Sequence, residues 1–265
     1  MDILETIIAA KRKEVERFKP MSSIERFEKD GFFWQIRTRS LVQSLLLPGS
    51  TGIIAEFKRK SPSKGWFKTK DLEVEPVVVA YNKRAAGISV LTNDEFFGGD
   101  LDDLIQTKIV TDIPVLRKDF IIDKWQIAES KAFGADVILL IAACLSPAEV
   151  KEFAAYARSI GLESILEVHN EEELGHICDE VDMVGVNNRN LKTFEIDIAT
   201  SLDLIDKIPA GKPAISESGI SNVDAIVTLK GAGYKGFLIG ETFMKEADPT
   251  MAFGDFTDLL NTKAG

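Results

Sequence analysis

Glu56 and Lys58 stand two residues apart at the end of an apolar run, Gly52-Ile53-Ile54-Ala55. In an extended strand that spacing aims both side chains at one side. The pattern recurs along the chain. Arg117-Lys118-Asp119 follow Pro114-Val115-Leu116, Glu167 sits between Leu166 and Val168, and Asn187-Asn188-Arg189 close a further apolar run, with Asn187 and Arg189 on one face. Ser216-Glu217-Ser218-Gly219 and Gly240-Glu241 end two more. Lysines among carboxylates are the make-up of an acid–base centre. Mutual attraction keeps both partners charged, and partial burial would draw a lysine's pKa toward the working range. Taken singly, each residue reads as well as a solvated rim charge or a stabilising ion pair, since a core cannot hold charges unpaired. Six such ends meeting at one mouth favour chemistry.

Residues 58–70 carry Lys58, Arg59, Lys60, Lys64, Lys68 and Lys70 with no acid, inside a chain of net charge −10. One reading is a solvated basic loop. The other is an electropositive lid over an anionic substrate, with Ser61-Pro62-Ser63-Lys64-Gly65 as its mobile turn. Ser218-Gly219 and Gly240-Glu241 each lie between a strand and a helix start, where backbone N–H groups favour an anion. Glycine there also serves a tight turn. Arg189 would add a charge-assisted clamp.

The two histidines, His169 and His176, have no metal-ligand spacing and no partners for a serine triad, so both are expected to be structural or surface residues. Cys144 and Cys178 cannot form a disulfide framework and are expected to be buried reduced thiols. The acidic balance argues against nucleic acid as a partner. The longest apolar stretch, 137–145, has nine residues, too short to span a bilayer. Acids at the chain start stand where a secretory signal needs bases. The expectation is a cytoplasmic protein.

These residues must be held by regular elements. Short apolar runs at 52–57, 88–91, 114–116, 137–141, 163–167, 183–186, 214–216 and 237–239 predict eight strands. Amphipathic segments at 74–86, 101–110, 124–133, 147–160, 171–178, 199–207 and 223–230 predict helices, with start signals at Asp123, Ser146 with Glu149, and Ser221-Asn222. Strand and helix alternating about every 25 residues is the arithmetic of a (β/α)8 barrel, whose chemistry sits at the carboxyl ends of the strands. A doubly wound sheet shares the alternation, but Glu56-Phe57-Lys58-Arg59 is unlike its glycine fingerprint. Residues 1–50 read as a helical extension packed on the same single domain, 1–265. Ile3, Leu4, Ile7, Ile8, Val15 and Phe18 form its apolar face, Pro20 ends the first helix, and Ser22-Ser23 open a second.

At this level the motifs become specific. The segment from Ile54 to Gly65, Ile-Ala-Glu-Phe-Lys-Arg-Lys-Ser-Pro-Ser-Lys-Gly, resembles the first-strand signature of the indole-3-glycerol-phosphate synthase family. The likeness continues in Phe96-Phe97-Gly98-Gly99, in Arg117-Lys118-Asp119-Phe120, in Leu166-Glu167-Val168-His169, in Asn187-Asn188-Arg189-Asn190-Leu191 and in Ser216-Glu217-Ser218-Gly219, and so covers essentially the whole chain.

The resemblance implies a cofactor-free (β/α)8 enzyme of tryptophan biosynthesis. Its sugar-phosphate substrate would be 1-(2-carboxyphenylamino)-1-deoxyribulose 5-phosphate, and no metal would be needed. Association with other enzymes of the pathway is left open. Carried over by motif, Lys118 is the general acid of ring closure, and Lys58 binds the carboxylate and assists loss of the hydroxyl. Glu167 and Glu56 are candidate bases, while Asn187 and Glu217 orient the substrate. The phosphate falls to Ser61, Arg189, Ser218 and the backbone of Gly219, Gly240 and Glu241. The aromatic pocket falls to Pro62, Phe97, Phe120, Leu139, Ile141 and Leu191. Asp100 stands where the family often has serine, and Asn190 where aspartate is usual. Two rivals share parts of this pattern. A phosphoribosylanthranilate isomerase would need only the phosphate site, and so would a barrel that has lost catalysis and merely binds.

Overall fold

Each apolar run that ends in polar residues is a strand of one closed parallel barrel. The computed structural model describes residues 3–190 and 193–264. The strands are β1 (Ile53–Phe57), β2 (Gly87–Leu91), β3 (Val115–Lys118), β4 (Val137–Ile141), β5 (Glu163–Val168), β6 (Met183–Asn187), β7 (Ala214–Glu217) and β8 (Gly236–Ile239). Neighbours in sequence are neighbours in the sheet, and β8 pairs back onto β1 with Ile53 opposite Phe237.

The period of two divides each strand between two cores. Ile54, Leu116, Leu139, Ile165, Met183, Ile215 and Leu238 fill the barrel interior. Ile53, Ala55, Phe57, Val115, Ile138 and Leu140 face outward onto the helices. Each such side chain, fully buried, contributes about 1.5–3 kcal/mol of hydrophobic stabilisation. Two residues on, toward the carboxyl end, Ile54 is followed by Glu56, Leu116 by Lys118, Ile165 by Glu167 and Ile215 by Glu217, while Met183 is followed by Gly185 and then Asn187. The packing that closes the barrel therefore also aims the charges.

The outer helices include Val74–Asn82, Leu101–Val110, Lys124–Ala132, Pro147–Ser159, Ala199–Leu204, Val223–Ala232 and Pro249–Ala264. Asp123 and Ser146 cap theirs through reciprocal bonds with Gln126 and Glu149, and Asn222 caps the ten-residue helix that begins at Val223. Asp100 forms a capping box with Asp103. Three features differ from expectation. The segment 171–178 is not an α-helix but a short 3-10 turn, Glu172–His176. Its first turn is held by the Asn170 side chain, which donates to Glu173 Oε1 and accepts from Glu173 N. The segment 61–65 closes a small antiparallel hairpin, Lys60–Ser61 with Gly65–Trp66. The helix Pro249–Ala264, not expected from the pattern, closes the ring against the helix Val74–Asn82.

Three helices precede the barrel: Ile3–Phe18, Ile24–Asp30 and Leu41–Leu46. The first buries Ile7, Val15 and also Lys11, whose ammonium lies 2.9 Å from Asp119 at the end of β3. Phe27 of the second stacks on Trp125 at 5.5 Å between ring centroids. The third plugs the barrel's amino-terminal end with Leu41 and Leu45, which join the interior core.

Candidate active site

Lys118 is the centre of the carboxyl-terminal mouth. Its Nζ lies 2.7 Å from Glu217 Oε2 and 3.7 Å from both Glu56 Oε2 and Glu167 Oε2. Lys58, from the other side of Glu56, sits 2.6 Å from Glu56 Oε1. Strands β1, β3, β5 and β7 thus deliver one layer of four inward side chains, the alternate-strand geometry that fills such barrels. Here the layer is charged rather than apolar.

Two glycines make room for it. A Cβ at Gly185 of β6 would fall 2.3 Å from Glu217 Oε1, and one at Gly240 after β8 would fall 2.5 Å from Glu56 Oε1. The carboxylates occupy the space that side chains at those positions would take.

Burial and neighbours divide these groups. Burial alone would lower Lys118, but Glu217, Glu56 and Glu167 outweigh it and hold the ammonium well above its ordinary value. The sequence-level expectation of a lowered lysine is corrected on this point. Burial pushes Glu56 up, and Lys58 and Lys118 bring it below the usual carboxylate range. Glu167 is likewise pushed up by burial, yet His169, Lys118 and Asn187 draw it down to about 2. Glu217 goes the other way. Burial, with the charges of Glu167 and Glu56, raises it to about 7 despite Lys118. Its Oε1 is buried without a hydrogen-bond partner. The centre therefore holds ionised carboxylates, a protonated lysine and one carboxyl that changes state near neutrality.

Above the layer opens a cavity of about 230 Å3. Glu56, Lys58, Lys118, Glu167 and Asn187 line its polar side. Pro62, Phe97, Phe120, Leu139 and Ile141 line its apolar side, with Phe97 and Phe120 6.2 Å apart between centroids. Ser61, Arg189, Ser218, Gly219, Gly240 and Glu241 form its far wall. Glu217 lies beneath the floor rather than on it, wholly buried. Leu191 lies outside the described residues.

At the far wall Ser218 and Gly219 both take positive φ, 67° and 77°, and turn the chain sharply. Asn188 fixes that turn: its Nδ2 donates to Ser218 O and Ser216 Oγ, both at 3.0 Å. Arg189 lies 3.7 Å from Glu241 Oε2, and Lys64 donates to the other oxygen of Glu241. An entering anion would compete with that carboxylate for the two cations.

The basic loop is less of a lid than its composition suggests. Arg59 is buried and bound to Asp103, Leu72 O and Gly98 O, a staple of the fold. Lys60 donates to Glu95 O, Lys68 to Glu246 O and Lys70 to Asp94. Of the loop's cations only Lys58 lines the cavity.

Other residues were not singled out by the sequence reading. Ile3, Leu4 and Ile7 of the first helix line the apolar side, where their spacing read simply as a core face. His169 stands directly behind Glu167, its Nε2 3.1 Å from Glu167 Oε1 and its Nδ1 3.0 Å from Glu173 Oε2. The period of two that placed Glu167 also places His169 on the same side, and that was the available signal. His176 is structural, bonded to Glu173 O and Leu145 O. Cys144 and Cys178 form no disulfide and are half-buried rather than fully buried. Among the described residues no group of His, Cys, Asp and Glu could hold a metal ion, and no helix is long and apolar enough to cross a membrane.

Fold and site together define a (β/α)8-barrel enzyme with a lysine–glutamate centre at the carboxyl ends of its strands. Solved barrels of similar shape include a chain of the tryptophan synthase complex from Pyrococcus furiosus (TM-score 0.61, 17% identity, 80% of this chain and 98% of that one). Orotidine 5'-monophosphate decarboxylase from Sulfolobus solfataricus is another (TM-score 0.59, 14% identity, 82% of this chain and 100% of that one). At such identities they speak for the fold alone. The family model for indole-3-glycerol phosphate synthase matches residues 4–256. Curated enzymes of that name from Bacteroides thetaiotaomicron and Variovorax paradoxus are 45% and 40% identical to this chain. The first alignment covers 96% of this chain and 97% of its relative, the second 94% and 96%. The chain belongs to the indole-3-glycerol phosphate synthase family, carboxy-lyases of tryptophan biosynthesis.

Proposed function

We propose that the charged layer carries out the family's reaction on 1-(2-carboxyphenylamino)-1-deoxyribulose 5-phosphate as follows. The sugar phosphate is held by Ser61, Arg189, Ser218 and the backbone of Gly219, Gly240 and Glu241. The aryl ring lies against Pro62, Phe97, Phe120, Leu139 and Ile141. Lys58 pairs with the aryl carboxylate. As the aryl carbon bonds to the ketone carbon, Lys118 gives its proton to the ketone oxygen, which becomes a hydroxyl. Carbon dioxide leaves and returns its bonding electrons to the ring. Lys58 then protonates the departing hydroxyl, and water leaves. Glu167 or Glu56 accepts the proton lost as the indole double bond forms. Asn187 holds the reacting groups in register, and Glu217, beneath the floor, positions Lys118. The products are indole-3-glycerol phosphate, carbon dioxide and water.

The observation that carries this reading is the meeting of Lys118 with three carboxylates at the floor of a cavity lined by Phe97 and Phe120 on one side and by Arg189 and Ser218 on the other. The negative charge of Glu217, Glu56 and Glu167 keeps Lys118 protonated until substrate arrives. A binding module would need the anion wall but not this centre. The test is the growth of indole fluorescence when purified protein meets the substrate in buffer containing a chelator. Growth that is lost in Lys118→Ala supports the reading. Growth that survives in that variant removes Lys118 from the acid's role, and no growth with the unmodified chain overturns the assignment.

A further inference from the structure

We propose that His169 is a positioning residue for the reaction: clamped between Glu167 and Glu173, its doubly protonated ring anchors the Glu167 carboxylate at the mouth. The proposal rests on the reading of Glu167 as a base. Nothing in the roles assigned above uses His169 or Glu173.

The geometry is a three-part stack. Glu173 Oε2 accepts from the backbone N of His169 at 2.8 Å and lies 3.0 Å from its Nδ1, so one carboxylate oxygen fixes both the backbone and the ring. Asn170 Nδ2 holds the other oxygen of Glu173 at 2.9 Å. On the far side of the ring, Nε2 is 3.1 Å from Glu167 Oε1, at ion-pair distance though not aligned as a hydrogen bond. With a carboxylate beside each nitrogen, the ring that carries two N–H groups and a positive charge is the form both carboxylates favour. Burial of the ring disfavours its charge, but Glu167 and Glu173 outweigh this and lift His169 to about 10.

Glu167 is in turn faced by Lys118 from β3, by Asn187 from β6, and by the charge of Glu56 from β1 and Glu217 from β7. Lys118 stands nearer to Glu217 than to Glu167. The imidazolium is therefore the cation that remains with Glu167 when Lys118 gives up its proton to substrate. That keeps the base in place, and ionised, at the step where it is needed.

Because the chain has only two histidines, the His169 ring signals can be assigned in nitrogen-15 spectra by loss of one set in His176→Gln. His169 is expected to show both ring N–H groups at pH 8, and a neutral ring there would overturn the proposal. In kinetics, His169→Gln is expected to lower kcat by roughly tenfold with KM changed less than about threefold, and to move the acid limb of the pH profile up by about one unit or more. Glu173→Gln, which keeps the backbone contact, is expected to move the limb in the same direction by less. A merely structural histidine would lower the active fraction and leave the limb where it was, and that result would overturn the proposal. Glu167→Gln separates the two readings. If it retains turnover, the base reading fails and this proposal with it. If it loses turnover while His169→Gln keeps the original profile, only the proposal for His169 fails.

Discussion

At the amino-terminal end of the barrel, Asp136 accepts from Arg39 N at 2.8 Å, Val115 N at 2.9 Å and Lys108 Nζ at 2.5 Å. Glu163 beside it accepts from Ser40 Oγ, Leu41 N and Val42 N, and so caps the helix that plugs the barrel. Both oxygens of each carboxylate are occupied. At the carboxyl end, Lys118 is shared among three glutamates at 2.7, 3.7 and 3.7 Å, and one oxygen of Glu217 has no partner. The residue types are the same at the two ends, and their coordination decides what they do. A carboxylate whose lone pairs are filled by fixed donors is held in one place and holds structure, although burial pushes Glu163 above the usual carboxylate range. Three carboxylates around one ammonium leave a proton whose place is easily changed, and Glu217 near neutrality is the sign of it.

The comparison predicts opposite failures at the two ends. Lys118→Met should lower turnover by roughly 10²–10⁴, the loss expected for a general acid, while circular dichroism shows a folded chain. Normal turnover would end the distinction drawn here. Asp136→Ala, which leaves Lys108 buried and two backbone donors unpaired, should cost about 3–5 kcal/mol of stability in urea titration. Its turnover at a temperature where it stays folded should remain close to that of the unmodified chain. A large kinetic loss there would show that the lower end also serves the chemistry.

A sharper test uses pH. His169 is raised from 6.5 to about 10 by folding. A cation with a raised folded-state pKa adds stability that is complete below about pH 6.5 and is lost as pH rises toward 10. His169→Gln should therefore destabilise by roughly 2–4 kcal/mol more at pH 6 than at pH 10, read as the difference between urea midpoints at the two pH values. An equal loss at both would mean that the ring is neutral and merely packed. The smallest effect is expected at the far wall. Arg189→Ala should raise KM by about tenfold with little change in kcat, the pattern of lost ground-state binding. An unchanged KM would take Arg189 out of the anion's reach.

How much of this was legible in the residues follows from range. Strands such as Val137–Ile141 are apolar at every position and bounded by turns, so burial alone marks them. Glu56 with Lys58, and Asn187 with Arg189, announced themselves because a period of two and a strand end are both local facts. The hairpin at Lys60–Ser61 and Gly65–Trp66 did not, since two-residue strands have no period to read. The segment 171–178 opens with a cap-like pair of bonds between Asn170 and Glu173 and carries helix-forming residues, but with Gly175 inside it the chain makes only a 3-10 turn. Arg59 looked like part of a basic patch because its partner, Asp103, lies far along the chain. The role proposed for His169 depends in the same way on a carboxylate of the next turn and on the crowd around Glu167.

The seam between β1 and β8, with Ile53 against Phe237, also bears on how the protein is made. A chain leaves the ribosome amino end first. The partner of one edge of β1, the strand with Glu56 and Lys58 at its tip, therefore becomes available only when nearly all of the barrel has been synthesised. During that interval the edge is open to pairing with other chains. No shorter nascent fragment holds Glu56 and the Gly240 turn together, so the mouth of the barrel is complete only after the last strand has been made.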